Sequence, residues 1–153
     1  MLTKQETQNI VEGFFDKSLP IKEWTHLAHL IVGLYVVREH DLESSLMIMR
    51  EGIKAYNVAA GGENTDTSGY HESITVLFVH ALHAFIQHVG QHRSFLDQVE
   101  LLQSSILVQK PFMFRFYSRE QLFTVEARLG WVEPKLRPLT DLGKLNFLVT
   151  LEC

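Results

Sequence analysis

The sequence predicts an all-α fold, a single-domain bundle of about six helices. Three observations carry this. Apolar residues recur at helical spacing through the long segments, Ser and Thr stand where helix N-termini need them, and no segment offers a convincing pair of strands. At 153 residues the chain can bury a real core as one domain without disulfides or a structural metal.

The first helix opens at Thr3, which reads with Glu6 as a capping box: hydroxyl and carboxylate each satisfy an otherwise unpaired backbone N–H. Ile10, Val11, Phe14 and Phe15 form its apolar stripe, and Pro20 forces it to end near Ser18. The second helix runs from about Glu23 to His40 and is apolar on most of its circumference, as central helices are. A third spans about Leu42 to Val58, with Leu42, Leu46, Met49, Ile53 and Tyr56 at helical spacing. Residues 60–69, AGGENTDTSG, are the clearest loop.

The segment HESITVLFVHALHAFIQHVG predicts another strong helix, ending at Gly90 and placing Ile74, Leu77, Phe78, Ala81, Leu82, Phe85 and Val89 on one face. Ser94 caps a fifth, carrying Phe95, Val99, Leu102 and Ile106. The stretch KPFMFRFYS reads two ways, because Phe112, Phe114 and Phe116 alternate as in a strand while Pro111 suits the first turn of a short helix. Ser118 and Gln121 read as a second capping box, opening a helix that stops at Gly130; Pro134 and Pro138 predict an extended tail.

Composition narrows the functions. A net charge of −4 argues against a general electrostatic hold on nucleic acid or anionic lipid. Lys110, Arg115 and Arg119, interleaved with Phe112, Phe114, Phe116 and Tyr117, are too few cations for a nucleic-acid platform and fit a core anchor better. The opening MLTKQETQNI lacks the apolar core of a signal peptide, and the longest apolar run, Leu30 to Val37, falls far short of a membrane span. The expectation is a soluble cytoplasmic protein without nucleic-acid or membrane partners, homo-oligomerisation being left open. The single cysteine, Cys153, permits neither an intrachain disulfide nor a thiolate cluster.

The chemistry concentrates in two places. In EWTHLAHLIVGLYVV, His26 and His29 are three apart and share one helix face, where two imidazoles can converge on one metal ion. Gly33 lies on that face one turn later and removes bulk, leaving room for a neighbour or a ligand. The spacing alone is weak, since His80 and His83 share it; they project away from the Phe78, Leu82 and Phe85 face and read as solvated, with His88 and His92. His40 falls at the end of its helix, where a cation is favourable.

In GYHESIT, His71 falls on the line of Thr75, Phe78, Leu82 and Phe85, within a first turn whose dipole favours neutral imidazole. Thr75 could bond a ring nitrogen and fix the tautomer. Glu72, at the edge of the apolar face, reads as a fourth ligand, as a general base toward bound water, or simply as an acid complementing the helix dipole. Asn57, Tyr70, Thr75 and Arg128 fit as ligand-binding groups, Arg128 having an equal reading as a clamp on backbone carbonyls or Glu133.

The blocks WTHLAHL, YHESIT and FYSREQLFTVEARLGWVEP together resemble a group of small all-helical bacterial proteins. In that group a Trp/Phe-x-His-x-x-His segment is followed by Tyr-His-Glu-Thr-Ile-Thr and an Ala-Arg motif. The resemblance implies positions and no reaction: His26, His29, Tyr70, His71, Glu72, Thr75 and Arg128 stand at its motif positions, and Ser73 departs from the usual Thr.

Three readings of function follow. The first is a metal-dependent enzyme acting on a small molecule, with His26, His29 and His71 as ligands of zinc or iron and Glu72 as fourth ligand or catalytic base. The second is a metal-free small-molecule pocket in which His71 and Glu72 bind or do acid–base work, oriented by Tyr70 and Arg128. The third is a helical interaction domain without catalysis.

Overall fold

Glu6 N donates to Thr3 Oγ1 and Thr3 N to the Glu6 carboxylate, so the predicted capping box forms. It opens α1, Lys4–Phe15, in a computed structural model that describes residues 1–148; Cys153 lies outside them. Val11 and Phe14 of the predicted stripe are buried, whereas Phe15 points outward and is 44% exposed. Pro20 ends the turn that follows and caps a single 3-10 turn, Ile21–Glu23. The second helix, α2, therefore starts later than the periodicity suggested, at His26, with Thr25 accepting from Ala28 N, and runs to Glu39. Ala28, Leu30, Ile31, Val32, Leu34 and Val36 are all essentially inaccessible, which makes α2 the centre of the bundle.

Asp41 caps α3, Leu42–Ala59, through Ser44 N. The loop after it is pinned by one side chain. Asn64 Oδ1 accepts from Asn57 Nδ2 and Tyr70 N, while Asn64 Nδ2 donates to Lys54 O. Gly69 closes the loop at φ +79°, and a methyl group there would run into Glu63 O. Gly69→Ala is therefore expected to destabilise the protein by about 2 kcal/mol, combining a left-handed backbone with a clash against main chain. Denaturant midpoints at unchanged slope would measure it, and a neutral substitution would show that the loop relaxes freely.

Helix α4, Glu72–Val89, packs against both α2 and α3 and ends at Gly90 as expected. Ser94 caps α5, Phe95–Gln103, through Asp97 N. Ile106, expected on that helix, instead begins a 3-10 turn, Ile106–Val108. The ambiguous stretch is helical: Lys110–Arg115 forms 3-10 turns that bury Phe112, followed by buried Phe116 and Tyr117.

The predicted helix from Ser118 to Gly130 is broken into α6, Arg119–Leu122, and α7, Val125–Leu129. Thr124 causes the break: its hydroxyl donates to Gln121 O and accepts from Ala127 N, so it caps a new helix where the old one would have continued. Ser118 accepts from Gln121 N, but the Gln121 side chain bonds Glu133 O and Lys135 N instead of completing a capping box.

The tail is not merely extended. It turns through a 3-10 segment, Leu139–Lys144, and returns Leu142 and Phe147 to the core, Phe147 against the rings of Phe85 and His88. Among the described residues the architecture is all-helical, without strands, and no helix is long and apolar enough to cross a membrane.

Candidate functional site

The residues singled out from the sequence separate into two environments. His26, at the first position of α2, bonds Leu107 O through Nε2 at 2.9 Å and meets the edge of Phe78 at 5.2 Å between ring centroids. His29, one turn on, bonds Thr25 O through Nδ1 at 2.7 Å. Trp24 stacks on its other side, with centroids 3.7 Å apart and planes within 27°. Burial, acting above all other causes, lowers the His29 pKa to about 4, so the ring is neutral near pH 7.

Both histidines line a cavity of about 390 Å³ between α2, α3, α4 and the 3-10 segment 110–115. Its walls are mostly hydrocarbon and thioether, from Leu30, Met49, Ile53, Phe78, Leu82 and Met113; Thr75 and Lys110 add the remaining polar groups. Gly33 lines it as well. The room that its missing side chain leaves is taken by a neighbour, because a methyl group there would lie 2.6 Å from Leu82 Cδ1.

His71 stands elsewhere. It is the N-cap of α4, extended at φ −130° and ψ 108°, not a residue of the first turn. Nδ1 accepts from Ile74 N at 3.2 Å and Nε2 donates to Leu122 O at 2.7 Å, so both ring nitrogens are occupied by main chain. Burial, with a smaller contribution from the Arg128 charge, depresses its pKa against the opposing bond to Leu122. The proton therefore stays on Nε2, where the carbonyl needs it. Thr75 does not fix this tautomer; its hydroxyl donates to His71 O at 2.9 Å.

The expected three-histidine centre is thus not assembled, and no group of three His, Cys, Asp or Glu among the described residues is placed to share a cation. The physical reason is the starting point of α4. As the cap, its ring is held by Ile74 N on one nitrogen and by Leu122 O on the other, which leaves neither free for a metal shared with α2.

Glu72 is buried and gripped by Arg50 in a two-pronged ion pair: Nη2 to Oε1 at 2.7 Å and Nε to Oε2 at 2.8 Å. Tyr70 Oη donates to Oε2 at 3.1 Å. The bond from Arg50 is the largest cause holding the Glu72 pKa below its ordinary value, outweighing burial. A carboxylate so held is a weak proton acceptor, which speaks against the catalytic-base expectation. Burial pushes the Tyr70 hydroxyl well above the usual phenol range, and Lys54 Nζ lies 5.1 Å from the centre of its ring.

Asn57 and Arg128 support the loop before α4. Asn57 holds Asn64, and Arg128 Nη1 donates to Gly69 O at 2.8 Å and, more distantly, to Tyr70 O. This is the carbonyl clamp that stood as the alternative for Arg128, applied to a different segment.

Four participants were not singled out. Arg50 sits at the edge of the apolar face of α3, and no local pattern ties it to a glutamate 22 residues later. Ser73, noted only as a departure from the usual Thr, is fully buried; it donates to Gly130 O and accepts from Val132 N, tying α4 to the chain after α7. Met49 and Met113 line the cavity, and only their positions in the fold reveal this. Of the outward-facing histidines, His83, His88 and His92 are exposed as expected, whereas His80 is half-buried in a second cleft beneath the tail, which Glu72 and Arg50 also line.

Comparison with protein-family models, with curated proteins and with solved structures finds no match for the chain.

Proposed function

We propose that the chain binds a small, largely apolar molecule, without a metal ion, in the cavity between α2, α3 and α4. One observation carries this reading: an apolar space of about 390 Å³, within the size range of small-molecule pockets, is bordered by two histidines that each keep one ring nitrogen without a partner among the described residues. His71 and Glu72 take no part, since their polar atoms are already engaged.

A second reading, zinc or iron held by His26 and His29, has one observation in its favour. In each ring the other nitrogen bonds a backbone carbonyl, an arrangement common behind metal-bound imidazoles. Against it, no carboxylate lines the cavity and Lys110 brings a like charge to it.

Calorimetric titration separates the two. Butylbenzene is expected to saturate one site, and Ile74→Phe, which fills the cavity from α4, should weaken it by about tenfold, or 1.4 kcal/mol. No saturable binding would sink the pocket reading. Stoichiometric zinc binding, abolished by His29→Phe and unaccompanied by butylbenzene binding, would put the metal in its place.

A further inference from the structure

We propose that the pocket selects a neutral hydroxyl head, so that its ligand class is phenols and apolar alcohols rather than carboxylic acids, phosphates or amines. This inference rests on the pocket reading above and concerns what that pocket recognises.

The selection follows from where the protons sit. Leu107 O and Thr25 O are carbonyl oxygens and can only accept, so a ring carrying one proton must place it on the nitrogen facing them: Nε2 of His26 and Nδ1 of His29. The nitrogens left over, Nδ1 of His26 and Nε2 of His29, then carry lone pairs and have nothing to donate. A carboxylate or phosphate brought to them would set lone pair against lone pair. Recruiting His29 for an anion would require protonating a ring that burial keeps neutral. The Thr75 hydroxyl gives an anion no help, because its proton is committed to His71 O.

An ammonium head fails for a different reason. Neither Asp nor Glu lines the cavity, and Lys110 does. A buried or half-buried cation would meet a like charge and find no counter-charge. A hydroxyl suits these groups: its single proton goes to one of the two imidazole lone pairs, and its oxygen can accept from the Lys110 ammonium. The remainder of the ligand meets Leu30, Ile53, Phe78 and Leu82, which demand hydrocarbon or an aromatic ring. Lys110 alone would draw in an acid, so the acid is the decisive competitor.

The test uses the whole chain at pH 8, where an ordinary imidazole is neutral, and four compounds with one hydrocarbon body: butylbenzene, 4-butylphenol, 4-butylbenzoate and 4-butylbenzylamine. Calorimetry should find 4-butylphenol at least about tenfold tighter than the other three, since a missing or mismatched hydrogen bond costs that much in a desolvated site. In His26→Phe or His29→Phe the advantage of the phenol over butylbenzene, taken as the ratio of the two affinities within the same variant, should fall by about fivefold or more. The comparison of ligands on the unmutated protein stands even if a variant fails to fold.

Butylbenzoate or butylbenzylamine binding as tightly as the phenol would overturn the inference, as would a phenol advantage that survives in both variants. Butylbenzene binding with no preference for the phenol would overturn it and leave the pocket standing. Failure of all four compounds to bind would remove the pocket as well.

Discussion

Glu72→Ala is expected to destabilise the protein by about 3 kcal/mol, the lower end of what breaking a buried ion pair costs. The loss has two parts. The Arg50 guanidinium loses its counter-charge, and the Tyr70 hydroxyl loses the oxygen it donates to. The cost stays at the lower end because the Arg50 side chain is 34% exposed and can turn toward water, whereas Glu72 is 12% exposed. Arg50→Met should cost less than Glu72→Ala, and the double variant should fall short of the sum, since neither charge is then stranded. Urea midpoints for the four proteins measure this, and strictly additive effects would show that the pair contributes little.

The same pair sets part of the acid response. Arg50 holds the folded-state pKa of Glu72 below its ordinary value of 4.5, so the unfolded chain takes up a proton first as the pH falls. The contribution of Glu72 is complete above pH 4.5 and declines as the pH drops toward the folded value. Glu72→Gln should flatten that limb of the stability curve and leave the curve above it unchanged in slope.

What the sequence revealed divides along one physical line. Features decided within a turn or two were legible: the Thr3 and Glu6 box, the Ser94 cap, the Gly90 stop, and the enclosure of α2 by its own composition. The site was legible as a region but not as a set of roles, because each role depends on a partner far along the chain. His26 meets Leu107 across 81 residues, His71 meets Leu122 across 51, and Glu72 meets Arg50 across 22. Periodicity places a side chain on a face but does not identify what is across from it. Phe147 illustrates the limit, since nothing near it in the chain foretells that it packs on Phe85. Thr124 is the opposite case: its capping signal was local and readable, but a longer helical pattern obscured it.

His71→Ala is expected to cost about 3 kcal/mol, from about 1 for the lost N-cap and about 2 for the stranded carbonyl of Leu122. His71→Asn separates the two, because asparagine restores an acceptor for Ile74 N but cannot reach Leu122 O; it should recover the cap share alone. The pH dependence has a definite direction. Burial depresses the folded pKa of His71, so between that value and the ordinary 6.5 the unfolded chain binds the extra proton and stability rises with pH. The contribution is complete above pH 6.5 and is lost on acidification, when a proton on Nδ1 would abolish the cap. His29, with its pKa near 4, adds to the same slope down to that pH. His71→Asn should therefore reduce the stability lost as the pH falls below 6.5, without affecting the Glu72 limb below 4.5. Chelator provides the contrasting measurement: with both His71 nitrogens on main chain, it should leave the melting temperature of the wild type and of His71→Asn unchanged. A chelator-induced drop confined to the wild type would return His71 to the role of a metal ligand.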